Sequence, residues 1–429
     1  MSNNDYDRKI AEYTKTIEID PNDESAYYNR GGAKIALKDY TGAITDYTKA
    51  IELRPNFVAA YVNRGHSKNE LKDNIGAIAD YTKAIEIDPS YTHAYYNRGF
   101  ARNQSKDYKG AIADYTKVIE IDPNDESAYV NRGTAKKASG DHLGAIEDFT
   151  KVISFNPSDS LAFFSRGLSK TQMKDYQGAL SDYSKAIEIR PNWVFAFDNR
   201  AAAKNGIRDY EGAIADCTKS LQILPNNGTA FLNRAIAKKA LRDYEGAIND
   251  YTKAIEINPN YTIAIYNRGL IKYDLRDYKG AIIDFNKVID LKPNNVNAYY
   301  NRGLSKNFLK DYVGAIADYS VVIQFNPNDN LAYHVRGNAK SELQDFAGAI
   351  ADFSLAIGIN QNDEFSFTNR GNAKFNLKDY EGAILDFTKA IAINPNEMSA
   401  YNNRGLAKKI LGDISGAEID FKKYNASIK

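Results

Sequence analysis

The chain has 429 residues, of which 43% are hydrophobic and 26% charged, and its 56 Lys and Arg nearly balance 55 Asp and Glu. This composition is typical of a folded protein and excludes a disordered or collagen-like chain. The balanced charge argues against a protein that coats nucleic acid, because such proteins carry a basic excess. No apolar run of membrane-spanning length and no N-terminal signal segment are present, so we expect no membrane association and a cytoplasmic location.

The prolines recur with a fixed period. Neighbouring prolines are 34 residues apart, except for a last interval of 68 in which Gln361 occupies the missing place. They are Pro21, Pro55, Pro89, Pro123, Pro157, Pro191, Pro225, Pro259, Pro293, Pro327 and Pro395. Such a period indicates stacked repeats. With proline as position 32, residues 1–23 form a half repeat, predicted to be a capping helix, and residues 24–429 form twelve tandem repeats, the last slightly truncated as a C-terminal cap.

Each repeat is predicted to form two helices. In the first repeat, residues 24–37 carry apolar or small side chains with a period near 3.6. Asp39 then follows as the predicted N-cap of a second helix, and Pro55 ends that helix. Position 8 is Gly in ten repeats and position 20 is Ala in all twelve. These small residues predict a close approach of the two helix backbones, surrounded by aromatic rings at positions 4 and 24.

The order of these residues resembles the tetratricopeptide repeat. The residues that carry the resemblance in the first repeat are Tyr27, Arg30, Gly31, Lys34, Ala43, Tyr47 and Pro55. Position 7 departs from the family, with Arg where Leu is usual, and position 11 has Lys or Arg where Tyr is usual. The resemblance covers essentially the whole chain. It implies an all-α fold, a right-handed superhelical solenoid of tetratricopeptide repeats whose first helices line the concave face.

Charged residues recur at four positions. Position 7 is Arg and position 11 is Lys or Arg in every repeat, while positions 16 and 23 are always Asp. Two cations four residues apart on one helix repel each other, so their repetition implies nearby anions. Asp at position 23, on the paired helix, is the best candidate. We therefore predict an internal salt-bridge ladder, with a basic track for phosphate or acidic peptide as the alternative.

Position 6 carries the strongest functional signal. It is Asn in ten of twelve repeats, although Asn is a mediocre helix former. Amides spaced one per repeat can hydrogen-bond the backbone of an extended peptide whatever its sequence, and the pattern is similar to the asparagine ladder of the O-GlcNAc transferase superhelix. The alternative is that each Asn bridges neighbouring helices. The predicted peptide-binding asparagines are Asn29, Asn63, Asn97, Asn131, Asn199, Asn233, Asn267, Asn301, Asn369 and Asn403.

Aromatic side chains at positions 2 and 5 are predicted to be anchors for a peptide in the same groove. Packing between repeats is the alternative use of these rings. The candidate anchors are Tyr28, Tyr96, Phe164, Phe195, Tyr266 and Tyr300. Charges at the inner positions 12 and 13 have both signs, so no single ligand charge is predicted.

The sequence contains no recognisable catalytic constellation. Only His66 and His93 are predicted to approach each other, which is a weak basis for a metal site. Cys217, the one cysteine, cannot form an intramolecular disulfide and is predicted to be a small buried core residue. We expect a non-enzymatic scaffold, without cofactor or metal, that binds a protein or peptide partner. The alternatives are a self-assembling scaffold and a targeting subunit of an enzyme on another chain.

A few residues break the repeat pattern. Small side chains in repeat six predict looser packing and a hinge, and the missing proline of repeat ten predicts altered curvature near residues 355–366. Polar residues at both ends of the array predict solvent-facing caps. These residues are Ala201, Gly206, Cys217 and Ser220 in repeat six, Val335 and Gln361 in repeat ten, and Lys9, Thr16, Tyr424, Asn425 and Ser427 at the ends.

Overall fold

The computed structural model of the chain describes residues 3–426, and this part consists of 25 α-helices with no β-strand. The predicted all-α class is therefore confirmed. The chain forms two compact units, Met1–Leu224 and Pro225–Lys429. No helix within residues 3–426 is long and apolar enough to cross a lipid bilayer. Ser427, which the sequence placed in a cap, lies outside the described residues.

Within the first unit, consecutive helices pack against each other, so the chain folds as a stack of helical hairpins. Its helices are α1 (Asn3–Ile19), α2 (Glu24–Ala36), α3 (Tyr40–Leu53), α4 (Val58–Glu70), α5 (Asn74–Ile87), α6 (Thr92–Gln104), α7 (Tyr108–Ile121), α8 (Glu126–Ser139), α9 (His142–Phe155), α10 (Ser160–Gln172), α11 (Tyr176–Ile189), α12 (Val194–Gly206) and α13 (Tyr210–Ile223). The hinge predicted in repeat six, which holds α12 and α13, stays a prediction. Cys217 in α13 is buried, as predicted.

The second unit continues the same arrangement. Its helices are α14 (Gly228–Ala240), α15 (Tyr244–Ile257), α16 (Thr262–Asp274), α17 (Tyr278–Leu291), α18 (Val296–Phe308), α19 (Tyr312–Phe325), α20 (Asn330–Glu342), α21 (Phe346–Ile359), α22 (Glu364–Asn376), α23 (Tyr380–Ile393), α24 (Met398–Ile410) and α25 (Ile414–Ala426). From α2 onward, even-numbered helices are the first helices of repeats and odd-numbered helices the second. The division into residues 1–23 and 24–429 remains our proposal.

The first helices form the inner side of each unit. Neighbouring first helices touch each other directly, as α4 does with α6 and α16 does with α18. Within the described residues, second helices do not pack against each other to the same extent. Each unit is therefore more closely spaced along its first helices, and we call the surface that they present the inner face.

The turn inside each repeat depends on an aspartate and a glycine. Asp39 accepts a hydrogen bond from the backbone N–H of Gly42 at 2.9 Å, which confirms the predicted N-cap. A Cβ atom at Gly42 would lie 2.1 Å from Oδ2 of Asp39, so the capping carboxylate requires glycine there. The same bond recurs in all twelve repeats. The residue before each aspartate has a positive φ, 62° at Lys38.

Glycine at position 8 makes room for an aromatic ring. A Cβ atom at Gly303 would lie 2.7 Å from Cε1 of Tyr319, which is the buried residue at position 24 of the same repeat. The prediction that two helix backbones meet at this glycine is therefore wrong, because a side chain fills the space between them. In repeat six, where position 8 is Ala201, the ring is replaced by the smaller Cys217.

A buried carboxylate at position 23 binds both cations of the first helix. Asp46 is 1% exposed. Its Oδ2 and Oδ1 accept from Nε and Nη2 of Arg30 at 3.0 and 2.6 Å, and Nζ of Lys34 lies 2.8 Å from Oδ2. Both ion pairs occur in all twelve repeats. The predicted internal salt-bridge ladder is confirmed.

The same arginine also binds the preceding repeat. Nη1 of Arg30 donates to Oγ1 of Thr14 in α1 at 3.1 Å, and Arg64 donates to Thr48 in the same way. Eleven joints show this bond, with Thr, Ser or Asn at position 25 as the acceptor. Each of these arginines thus ties its own hairpin to the second helix of the hairpin before it.

The joint without proline keeps the geometry of the others. Gln361 lies between α21 and α22, which are separated by four residues, as are α23 and α24 around Pro395. The residue that ends α21, Asn360, has φ −126° and ψ 98°, and its counterpart Asn394 has φ −127° and ψ 96°. The backbone therefore gives no support to the altered curvature predicted near residues 355–366.

The first prediction concerns the salt-bridge ladder. Asp284→Ala leaves Arg268 and Lys272 without the carboxylate that both bind. Because this strands buried charge, we expect the free energy of unfolding to fall by about 3 kcal/mol. Urea denaturation measures the loss, and hydrogen exchange should place it in α16 and α17. Lys253→Ala, which breaks an exposed pair with Glu256, is the control and should cost less than about 1 kcal/mol. Equal losses in the two variants would contradict the prediction.

The second prediction concerns pH. Burial raises the pKa of Tyr183 at position 24 to about 12, against an ordinary value of 10.0. The folded state thus favours the neutral phenol, and this stabilisation is complete below pH 10 and is lost as the pH rises through about 12. Burial also raises the pKa of Tyr81 and Tyr251. We therefore expect the free energy of unfolding to decline above pH 10.

Circular dichroism and the ultraviolet absorbance of tyrosinate, recorded on the same samples, test this prediction. Helix loss and ionisation of the buried tyrosines should coincide. The hairpin of α22 and α23 has Phe387 at position 24 and no tyrosine at position 5. It should therefore keep its amide protection longer than the hairpin that contains Tyr183. Complete ionisation of every tyrosine with the helices intact would show that the buried rings do not control alkaline stability.

Candidate functional site

The position-6 asparagines lie on the first helices and mostly reach the inner face. Asn29 is exposed, and eight others are partly exposed. Asn233 differs, because it is buried. It is therefore a poor member of the predicted peptide-binding set, whereas the other nine remain accessible.

Several of these asparagines bridge to the preceding repeat through a tyrosine hydroxyl. Nδ2 of Asn63 donates to the hydroxyl of Tyr28 at 3.1 Å. Asn131 donates to Tyr96 at 2.8 Å in the same way. The acceptor is always the position-5 residue of the repeat before, which the sequence presented as a candidate anchor. The interpretation of Asn as a bridge between helices therefore holds for the amide nitrogen of these residues.

In the second unit, two asparagines bridge to other asparagines. Asn369 donates to Oδ1 of Asn338 at 2.9 Å, and Asn403 donates to Oδ1 of Asn372 at 2.8 Å. Asn338 and Asn372 occupy position 9, one helical turn after position 6. Neither residue was predicted. For Asn372 a usable signal existed, because Asn369 stands one turn earlier on the same helix face.

The carboxamide oxygens of the bridging residues remain available. Among the described residues, nothing donates to Oδ1 of Asn63, Asn131, Asn301 or Asn369, although the nitrogen of each is engaged. Asn97 makes no side-chain hydrogen bond within residues 3–426. A carbonyl oxygen accepts up to two hydrogen bonds. The inner face of each unit thus carries a series of acceptors that backbone N–H groups of another chain can satisfy.

Each position-5 ring packs against its own repeat on one side and is accessible on the other. Tyr28, Tyr96, Phe164, Tyr266 and Tyr300 are partly buried. Each packs on the position-24 ring of its own repeat, with ring centroids 5.7 to 6.1 Å apart. Packing inside the repeat therefore accounts for one side of these rings, and only the other side is available to a ligand.

Phe195 at position 2 is the most exposed of the candidate anchors. Its side chain is 67% exposed. The neighbouring Trp193 instead packs on Phe164, with centroids 4.6 Å apart. Trp193 and Phe195 are thus close in sequence but differ in role, because Trp193 packs on Phe164 and Phe195 is exposed.

A further row of amides lies at position 12, on the last turn of the first helices. Oδ1 of Asn69, Asn103 and Asn307 is buried without a hydrogen-bond partner. A buried carbonyl oxygen without a partner costs free energy. Position 12 was considered only for its charges, so these amides were not predicted. They add acceptors beside the position-6 series.

The other candidates from the sequence give no site. The arginines and lysines of the ladder are bound by aspartates and at most 23% exposed, which argues against a basic track. Within residues 3–426, no three His, Cys, Asp or Glu side chains are grouped so as to hold a metal ion, and this includes the surroundings of His66 and His93. The inner-face amides and rings are therefore the residues with a plausible binding chemistry.

Family comparisons agree with this repeat architecture. Two models described as tetratricopeptide repeat, and one described as TPR repeat, match segments that together cover more than half of the chain. The segments are residues 25–57, 65–105, 93–125, 126–159, 161–192, 229–261, 269–306, 331–363 and 365–397. The chain belongs to the tetratricopeptide repeat family. Its units are therefore tetratricopeptide solenoids, and such solenoids are protein-interaction scaffolds.

Solved structures of tetratricopeptide repeat proteins are similar to parts of the chain. YrrB, described as a TPR protein with an unusual peptide-binding site, is 24% identical over 43% of this chain and 95% of its own, with a TM-score of 0.40. MamA is 27% identical over 39% and 92%, with a TM-score of 0.38. A tetratricopeptide repeat protein from Parabacteroides merdae is 22% identical over 58% and 98%, with a TM-score of 0.41. No curated protein matches the chain significantly.

The tyrosine–asparagine bridges yield a stability prediction. Tyr266→Phe removes the hydroxyl that accepts from Asn301 at 3.0 Å. Because one hydrogen bond between two repeats is lost, we expect a cost of about 1 kcal/mol, seen as faster hydrogen exchange in α16 and α18. Tyr300→Phe is the matched control, since repeat ten has Val335 in place of the bridging asparagine and the Tyr300 hydroxyl has no partner among residues 3–426. A similar cost for both variants would disprove a role of the bridge.

Proposed function

We propose that this tetratricopeptide repeat protein is a non-enzymatic scaffold that holds an extended peptide segment of a protein partner against its inner face. The observation that carries the proposal is the series of position-6 carboxamides, present in ten of twelve repeats. Asn63, Asn131 and Asn301 are partly exposed, and their oxygens accept no hydrogen bond from the described residues. This is the mode that the resemblance to the O-GlcNAc transferase ladder implies.

Backbone capture suits these amides for a geometric reason. The nitrogen of each bridging asparagine is held by the preceding repeat, so the oxygen is fixed in direction before a ligand arrives. Fixed acceptors lose little side-chain entropy on binding, which favours affinity. Every residue of a peptide except proline presents a backbone N–H group. Such a series therefore binds a chain without selecting its sequence.

Selection of a partner then falls to the variable side chains of the inner face. Phe195 offers an exposed ring, and the accessible sides of Tyr96, Phe164 and Tyr300 add further aromatic surface. Large aromatic side chains supply much of the energy of protein interfaces. The partner should therefore present apolar side chains at intervals along its extended segment.

The test compares capture of partners from native extract by the full chain and by two triple variants. The groove variant carries Asn97→Ala, Asn131→Ala and Asn199→Ala. The control carries Asn56→Ala, Asn124→Ala and Asn192→Ala, which change exposed loop asparagines at position 33 of repeats in the same unit. Each lost hydrogen bond should weaken binding by about 1 kcal/mol, so the groove variant should capture far less and the control should capture normally.

Equal capture by wild type and groove variant would discard the amide mechanism. Circular dichroism must show the same helix content for all three proteins, which separates loss of binding from loss of fold. Light scattering, with and without residues 1–21, distinguishes a peptide scaffold from a self-assembling one. A molar mass that falls to that of one chain only after the removal of those residues would favour self-assembly.

A further inference from the structure

One polar cavity of the second unit has a composition unlike the rest of the inner face. It has a volume of about 660 Å³ and lies beside the last turns of α18, α20 and α22. The lining is formed by amides, hydroxyls, one carboxylate and the ring of Phe346. The residues that matter here are Asn307, Ser341, Glu342, Gln344, Asn369 and Asn376.

Within residues 3–426, three amide oxygens of this cavity are unused as hydrogen-bond acceptors. Oδ1 of Asn307 is buried without a partner. The nitrogen of Asn369 donates to Asn338 and that of Asn376 donates to the backbone carbonyl of Asn372, while the oxygens of Asn369 and Asn376 accept nothing from the described residues. A ligand that brings several N–H donors would satisfy all three oxygens, and a ligand that brings only acceptors would not.

The charge of the cavity is negative. Glu342 is exposed and accepts a hydrogen bond from the hydroxyl of Tyr312 at 3.2 Å. Within residues 3–426, no Lys, Arg or His forms an ion pair with it. Lys340 on the same helix is bound to Asp352. The carboxylate therefore faces the cavity without a counter-ion.

A substitution in the repeat pattern preserves this charge. Position 15 is Lys or Arg in nine of the twelve repeats and Gly in two, and only repeat ten has an uncharged side chain there, Gln344. That residue lines the cavity, whereas Lys310 and Lys378 at the same position of the adjacent repeats do not. The one repeat in which an uncharged side chain replaces this cation is thus the repeat in which the cation would stand beside Glu342.

We propose that this cavity receives the basic side chain of a peptide, arginine in preference to lysine. Glu342 is the counter-ion, and the oxygens of Asn307 and Asn369 accept from the remaining N–H groups. A guanidinium presents five donors in a planar fork and an ammonium three, so a carboxylate together with two amide oxygens favours arginine. This inference rests on the proposed function, since it names a side chain of the same extended peptide.

The experiment selects peptides from a random library displayed on phage, with the full-length chain as bait. Wild type should enrich peptides with arginine or lysine at one position, and these are synthesised for calorimetry. Glu342→Gln should weaken their binding about tenfold, because a charge-assisted hydrogen bond is lost. Gln344→Lys should also weaken it, because it restores the repelling cation. Asp274→Asn changes an exposed acid at the same repeat position outside the cavity and should have no effect.

A double-mutant cycle locates the contact. Replacing the enriched arginine of the peptide by glutamine should weaken binding to wild type at least as much as Glu342→Gln does, and should cost clearly less in that variant than in wild type. Enriched peptides without a basic residue, or an arginine preference unchanged in Glu342→Gln, would overturn this inference and leave the peptide scaffold standing. Failure of wild type to select any peptide would overturn both.

Discussion

A buried aspartate in each repeat sets the positions of three helices at once. Asp46 is removed from water, so its oxygens must be satisfied by partners of fixed geometry, and Arg30 and Lys34 supply them. The bidentate contact holds the guanidinium plane, and the nitrogen left over points at Thr14 of the preceding helix. Buried ion pairs define geometry more than they add stability. The spacing of successive hairpins is therefore set by the reach of an arginine side chain.

The regular spacing of residues on the inner face depends on this arginine-mediated joint between hairpins. Because each first helix is held at the same offset from the one before, a position-6 amide meets a position-5 hydroxyl across the joint, as Asn301 meets Tyr266. The nitrogen and the oxygen of the carboxamide then have separate roles. The nitrogen joins neighbouring repeats, and in the proposed function the oxygen accepts a hydrogen bond from a bound peptide. Structural and binding uses of the asparagines, which look like rival explanations, are compatible in one side chain.

Much of the local structure was predictable because it depends on one repeat alone. The period placed the helix boundaries, Asp39 was identified as an N-cap, and the aspartate at position 23 was identified as the partner of two cations. Contacts between repeats were harder, since they depend on the offset of the hairpins, which no single repeat encodes. Thr14 as an arginine acceptor and Tyr28 as an asparagine acceptor were missed for this reason. The wrong prediction at Gly303 had another cause. A small residue indicates that another group packs closely against it, but it does not indicate whether that group is a backbone or a side chain.

The identity of the joints has a consequence for how such a chain changes over generations. The described side-chain hydrogen bonds of the position-7 arginines span 16 residues, to Asp46 ahead and Thr14 behind in the case of Arg30. Each set of bonds is therefore enclosed in one 34-residue stretch. Insertion or deletion of a whole 34-residue stretch would bring the same chemical groups together at the new joint between repeats. Duplication of a repeat could thus lengthen the molecule without requiring any new type of contact. Single substitutions, such as Gln344, could then give one repeat a different binding surface.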